Sequence, residues 1–173
     1  MEDIRISQAS PEEVSVLQQI GKQTFFEAFA HCNTESDMKQ YLDNNFSKEK
    51  VLTELNNPES FFYIVWDGPG PIGYLKLNTG QAQTDLKEAD SLEIERIYVL
   101  GVYHGKKVGQ LLYEKALEVA QLQHKSSIWL GVWENNKKAI RFYEKNGFVP
   151  FSTHVFRLGE DDQTDLLMRK VLE

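Results

Sequence analysis

Residues 92–145 read LEIERIYVLGVYHGKKVGQLLYEKALEVAQLQHKSSIWLGVWENNKKAIRFYEK, and this stretch decides the fold. Residues 92–99 are apolar and rich in isoleucine and valine, with Glu93, Glu95 and Arg96 set among them, which predicts a strand. A glycine-punctuated turn follows, and then Val108, Leu111, Leu112, Lys115, Leu117, Val119 and Leu122 recur at helical spacing. A second apolar strand over 128–133, the pair Asn135-Asn136, and a helical pattern through Ala139, Ile140, Phe142 and Tyr143 complete the unit, which closes at Asn146-Gly147. Strand, helix, strand and helix in that order predict two parallel strands joined by a right-handed crossover. The first helix of the unit starts just beyond the carboxyl end of a strand, where unpaired amides and the helix dipole favour an anion.

Working outward, residues 3–9 predict a first strand with Ile4 and Ile6 on one face. Ser10-Pro11-Glu12-Glu13 then opens a helix carrying Val14, Leu17, Gly21, Thr24, Phe25 and Ala28 at spacings of three and four. Phe25, Phe26 and Phe29 gather at its end, a cluster that suits core packing first and a pocket wall second. Two short helices follow, one capped by residues 34–37 and running over 38–44, one starting at Ser47 and carrying Val51, Leu52 and Leu55 to the break at Asn57-Pro58. Residues 61–66 and 72–77 predict a hairpin across Asp67-Gly68-Pro69-Gly70-Pro71, and the polar, acidic residues 78–90 an exposed loop. Beyond the central unit, strands over 148–157, interrupted at Pro150, and 164–171 predict a closing antiparallel hairpin. The sum is a mixed α/β fold of six or seven strands with helices on both faces.

At 173 residues the chain is long enough for one domain with its own core and too short for two ordinary ones. A formal charge of −7 argues against non-specific binding to nucleic acid or an anionic membrane, and suits a cationic small partner if the acids gather round a cleft. The plainer account is solubility. One cysteine, Cys32, excludes an intrachain disulfide, and Glu2 and Asp3 stand where a signal peptide would need apolar residues. A cytoplasmic location is the expectation. No apolar run approaches the length of a membrane span.

Three features carry chemistry. In the turn His104-Gly105-Lys106-Lys107-Val108-Gly109-Gln110, amides converge at a helix start and two lysines add positive charge. Neither a P-loop nor a GxGxxG fingerprint is present there. Glu93 and Glu95 lie in the strand that feeds the turn; acids in an apolar strand are costly unless paired or solvated, so each is either a candidate general base or half of a structural ion pair with Arg96. Tyr143, beside Phe142, is either a packed ring or a proton donor. His31, His104, His124 and His154 show no metal-ligand spacing, and Cys32 has no second cysteine, so no metal is expected.

The succession LEIERIYV, HGKKVGQLL and WLGVWENNKKAIRFYEKNGF resembles the GCN5-related N-acetyltransferases, and with the segment GEDDQTDLLM it is similar to their PaiA-type spermidine/spermine acetyltransferases. The resemblance covers most of the chain and is tightest over residues 92–164. It implies an acyl-CoA N-acyltransferase fold: a mostly antiparallel sheet with a central, splayed parallel pair. It also implies acetyl-CoA as co-substrate, with the backbone of Ile97, Tyr98 and Val99 on the pantetheine arm and the amides of His104, Gly105, Lys106, Lys107, Val108, Gly109 and Gln110 round the pyrophosphate. Asn136 would contact the pantetheine, Lys145 would reach phosphate or solvent, and Tyr143 would serve as general acid near the sulfur. Glu93 would be the base, with Glu95 the second choice.

The turn departs from the family pattern of Gln or Arg, two residues, Gly, one residue, Gly or Ala. His104 replaces the first side chain and Lys107 the first glycine, where its Cβ limits close approach of the backbone. The implied acceptor is a small cationic amine such as spermidine or spermine, with Phe25, Phe29, Tyr41, Glu134 and residues 160–162 as its candidate surface. A protein N-terminus, a lysine or another small amine are alternative acceptors, and a non-catalytic acyl-CoA-binding module is the alternative of a different class. A homodimer is the expected assembly, by family likeness and by the frequency of two-fold symmetry.

Overall fold

The computed structural model describes residues 3–173, apart from the side chains at positions 156 and 158. Its strands are β1 (Ile4–Gln8), β2 (Ser60–Asp67), β3 (Gly70–Asn78), β4 (Ser91–Val99), β5 (Ser127–Trp133), β6 (Val149–Leu158) and β7 (Asp161–Val171). Its helices are α1 (Val14–Phe29), α2 (Glu35–Asn45), α3 (Lys48–Leu55), α4 (Val108–Leu122) and α5 (Lys137–Lys145). The strands form a 7-stranded sheet in the order β1-β2-β3-β4-β5-β7-β6. Every pairing is antiparallel except β4 with β5, the crossover expected from the sequence.

Local chemistry accounts for the element ends. Thr34 Oγ1 accepts from the Asp37 amide and Ser47 Oγ from the Lys50 amide, both at 3.1 Å, so each short helix begins at a capping hydroxyl. In α1 the residues Val14, Leu17, Ile20, Gly21, Thr24 and Phe25 are buried, one face at helical spacing. Gly21 is there because a Cβ would stand 2.6 Å from the Phe46 ring. β6 is an edge strand and its register slips between Pro150 and Ser152, so the proline sits beside a bulge at the sheet edge, where a missing N–H is tolerated.

A bulge also divides β4. Leu77 pairs with Ile94 and Lys76 with Arg96, leaving Glu95 as the extra residue. The alternation of faces therefore shifts by one at Glu95. Leu92 and Ile94 before it, and Ile97 and Val99 after it, all join the core that packs under α4 and α5, with Leu112, Ala116 and Tyr143. Arg96 and Tyr98 turn to the opposite face, where Tyr98 packs against the cluster of α1, α3 and the hairpin, with Leu17, Val51, Ile64 and Tyr74. Helices thus cover both faces. A third cluster of Phe25, Met38 and Phe46, with Phe29 and Tyr41, ties the end of α1 to α2, so these aromatics pack as a core group.

The expected exposed loop over residues 78–90 is anchored rather than free. Asn78, Thr79 and Gln83 are buried, and the Trp129 indole N–H donates to Gln83 Oε1 at 2.7 Å. Most of residues 81–90 are exposed, as composition predicts, and the segment is tied down at a few points, where Gln83 bonds Trp129 and Asn78 and Thr84 bond Glu93.

Candidate active site

β4 and β5 pair only from Ser91 with Ser127 to Ile94 with Leu130. Beyond that point β4 stays with β3 and β5 stays with β7, so a gap opens in the middle of the sheet. The backbone lining its β4 side follows from the register. The Leu100 amide donates to the Ile72 carbonyl at 2.9 Å, which makes Leu100, Tyr98 and Arg96 the residues bonded to β3. Ile97 and Val99, the alternate residues, aim their N–H and C=O groups into the gap. The Val99 carbonyl lies 2.8 Å from His104 Nε2, so His104 clasps the turn to the strand end.

The turn closes the carboxyl end of this gap. Gly105 has φ 79° and Lys107 φ 65°, both left-handed. A lysine in that region is strained by about 1 kcal/mol, and it is this conformation, not a helical one, that Lys107 accepts in place of the family's glycine. Among the described residues the amides of Gly105, Lys107, Val108, Gly109 and Gln110 have no acceptor, whereas those of His104 and Lys106 bond back into the preceding turn. Space also remains beside the two glycines, since a Cβ on Gly105 or Gly109 would meet nothing within 4 Å. The result is a set of convergent donors at a helix N-terminus with Lys106 and Lys107 alongside.

Tyr143 projects from α5 into the core next to this gap, 8% exposed, with its ring edge-on to Phe142 and Phe148. Its hydroxyl has no hydrogen-bond partner among the described residues, and burial pushes it further above the usual phenol range, so it is protonated at neutral pH. Asn136 caps α5, its Oδ1 accepting from the Ala139 amide at 3.2 Å, and Lys145 ends that helix. Gln110 and Asn146 exchange side-chain hydrogen bonds, joining the starts and ends of α4 and α5 across the core.

Both strand acids have protein partners. Glu93, 3% exposed, accepts from Asn78 Nδ2 at 2.9 Å, from the Thr84 amide at 2.8 Å and from Thr84 Oγ1 at 2.5 Å. Burial pushes its carboxyl up, and these donors from Asn78 and Thr84 oppose the rise. Glu95 accepts from the same Asn78 amide at 2.8 Å and pairs with Lys76 at 2.7 Å and Arg96 at 3.2 Å. Burial would raise its carboxyl too, but Arg96 and Lys76 outweigh that and hold it at about 2. Glu54 from α3 completes the group, 3.1 Å from Arg96 and 3.4 Å from Lys76.

Sequence reasoning missed Asp165. It lies opposite Trp133 in the β5–β7 ladder, which places both on the sheet face covered by α1 to α3, and Phe29 packs against that indole with centroids 6.2 Å apart. Its carboxylate leans back over Gly131, where a Cβ would stand 3.5 Å from Oδ2. No hydrogen bond to it is made among the described residues, and burial pushes it up to about 6. Its ladder partner Trp133 lines a cavity of about 250 Å³ with Cys32, Glu134, Asn135, Asp161, Asp162, Gln163 and Thr164, and a second cavity of about 410 Å³ shares Cys32 and Asp161 with the first and reaches Asp37. Gln163 keeps its Oε1 buried and unpartnered there. Among the described residues no group of three or more His, Cys, Asp or Glu is placed to hold a metal ion, and no helix is long and apolar enough to cross a membrane.

A split parallel pair capped by a turn of free amides defines an acyltransferase of the acetyl-CoA type, and comparison with known proteins agrees. The pattern of the acetyltransferase (GNAT) family matches residues 22–148, and the chain belongs to that family. It is 38% identical over 172 residues to an N-acetyltransferase in the pepI 3′ region of Lactobacillus delbrueckii subsp. lactis, covering 99% of each chain. It is 25% identical over 174 residues to the spermidine N(1)-acetyltransferase of Thermoplasma acidophilum, covering 98% of each. The fold superposes with a TM-score of 0.81 on the crystal structure of the PaiA N-acetyltransferase of Thermoplasma acidophilum in complex with coenzyme A, at 24% identity over 98% of this chain and 99% of that one.

Proposed function

We propose that the protein transfers the acetyl group of acetyl-CoA to a primary amine of a polyamine such as spermidine or spermine. The observation that carries the reading is the gap between β4 and β5 ending at the five unpaired amides of Gly105, Lys107, Val108, Gly109 and Gln110. The residues present fit the donor: its diphosphate is an anion that these amides and Lys106 and Lys107 would hold. The backbone groups of Ile97 and the Val99 amide would pair with the pantetheine arm, while the Val99 carbonyl already meets His104 and the groups of Tyr98 are spent on β3. Asn136, through the amide left free by its capping role, and Lys145 are further proposed contacts.

Bound there, acetyl-CoA supplies the activated thioester. The chain's own task is to remove a proton from the amine on one side and to supply one to the leaving thiolate on the other. Tyr143, protonated and without a competing partner, suits the second role. Glu93 and Glu95, the acids first assigned as base, are committed to Asn78, Thr84, Lys76 and Arg96, a commitment that favours holding the bulge.

A cationic acceptor is supported by the acidic rim of the cavities, Glu134, Asp161 and Asp162, by the unpartnered Gln163 Oε1, which can accept from an ammonium, and by the aromatic wall of Phe29 and Trp133. The spermidine activity named for the Thermoplasma acidophilum relative is consistent with it. The test is CoA release from acetyl-CoA with spermidine, spermine, simple diamines, a lysine peptide and an N-terminal peptide. Expected is turnover selective for polyamines, lowered roughly 10²-fold or more in Tyr143→Phe with acetyl-CoA binding retained. Turnover of peptides alone would move the acceptor to proteins; binding without turnover of any amine would leave a binding module.

A further inference from the structure

We infer that Asp165 is the proton acceptor for the incoming amine. This rests on the acetyltransferase reading above and names the base within it. The argument starts from the register. Gly131 is the first residue of β5 beyond its pairing with β4, and it has no side chain to fill the mouth of the gap. Asp165 stands opposite Trp133 on the neighbouring strand, yet its carboxylate lies over Gly131, tipped toward the opening. Of the three acids near the split, Glu93 is bound by three donors and Glu95 by two cations and an amide, whereas Asp165 receives no hydrogen bond among the described residues.

An anion left in that position has room and reason to receive an ammonium. Phe29 and Trp133 form the apolar wall beside it, and Trp133, its ladder partner, also lines the cavity rimmed by Glu134, Asp161 and Asp162, space for the remaining nitrogens of a polyamine. Asp165 lies on the sheet face of α1 to α3, while Tyr143 belongs to the core on the face of α4 and α5. The two proton-transfer groups therefore flank the gap from opposite faces. In the balanced step an N–H proton passes from the ammonium to the Asp165 carboxylate and the freed lone pair forms the C–N bond. The cationic tetrahedral adduct gives up its second N–H proton to solvent, the C–S bond breaks, and the thiolate takes the proton of Tyr143. The Asp165 proton leaves to solvent and Tyr143 is reprotonated from it.

The basicity agrees with the role. A carboxyl raised to about 6 is a better proton acceptor near neutral pH than Glu95 at about 2, and it is still ionised there. Burial is the cause, opposed by His154 of β6, itself 3.3 Å from Asp85; Tyr41 of α2 also senses the Asp165 charge, and the β5 neighbours Gly131 and Trp133 carry none.

The experiment is the pH profile of kcat/KM for spermidine in the wild type, Asp165→Asn and His154→Gln. Expected is an acidic limb near pH 6 that persists in His154→Gln and disappears in Asp165→Asn. That variant should lose roughly 10²-fold in kcat while acetyl-CoA binding stays within about twofold. An unchanged limb in Asp165→Asn, or a rise in KM with kcat intact, would overturn the assignment, the second by making Asp165 an anchor only. The carboxyl 13C titration of Asp165 in the wild-type CoA complex gives an independent reading: spermidine should lower its midpoint. Wild type that acetylates no amine would count against the proposed function, and a midpoint unmoved by spermidine would then count against Asp165 separately.

Discussion

Glu95 is the residue on which the buried charges balance. Lys76 and Arg96 face it and Glu54, and neutralising Glu95 leaves two cations for one carboxylate in a site where the Lys76 and Arg96 side chains are 6% and 13% exposed. Breaking such a pair from one side costs about 3 kcal/mol, so Glu95→Gln should unfold at distinctly lower urea than wild type. The sign with pH follows from its folded value of about 2 against 4.5 for the free group. Its contribution is complete above about pH 4.5 and is lost as pH falls toward 2, so the two proteins should converge over that window. Glu93→Gln should cost less, because burial already disfavours its ionised form. The sequence disclosed acids in a strand and Arg96 as a possible ion-pair partner for one of them, but neither Lys76 nor Glu54 as members of the group. Which acid is paired depends on the bulge, and the bulge depends on how Lys76 and Leu77 of another strand meet it.

The turn between β4 and α4 shows what an element can and cannot disclose. Its place was readable because strand, glycines and helix are local signals, and so were the caps at Thr34 and Ser47. The conformation of Lys107 was not, since side-chain chemistry argues against a left-handed lysine and only the finished turn, with Gly105 also left-handed, imposes one. Lys107→Gly should therefore raise the stability of the free protein by about 1 kcal/mol in a denaturant titration. The same change removes a cation beside the free amides, so CoA should bind more weakly and with a shallower dependence on salt. Asp165 was hidden for another reason. It lies 34 positions from Gly131 in the chain, and only the antiparallel register of β5 with β7 brings the two together.

At the scale of the whole molecule, the charge of −7 divides into acids with a task and acids that solvate. Asp161 and Asp162 rim the cavity that Trp133, the ladder partner of Asp165, also lines, while lying mostly in solvent, so each should add only a few tenths to about 1 kcal/mol to the binding of a polycation. Replacing both with Asn should raise KM for spermidine about fivefold at low salt, with little change at 0.5 M salt and little change for a simple monoamine at any salt. The split in the sheet has a mechanical side as well. Strands β1 to β4 form one plate and β5 to β7 another, and among the described residues the backbone hydrogen bonds that join β4 to β5 run from residues 90–94 to 126–130. Whatever lodges between the plates acts as a wedge whose thickness sets the angle between them. The cleft proposed for the donor is then also the seam that the fewest strand-to-strand hydrogen bonds hold, and a bound ligand would bridge it.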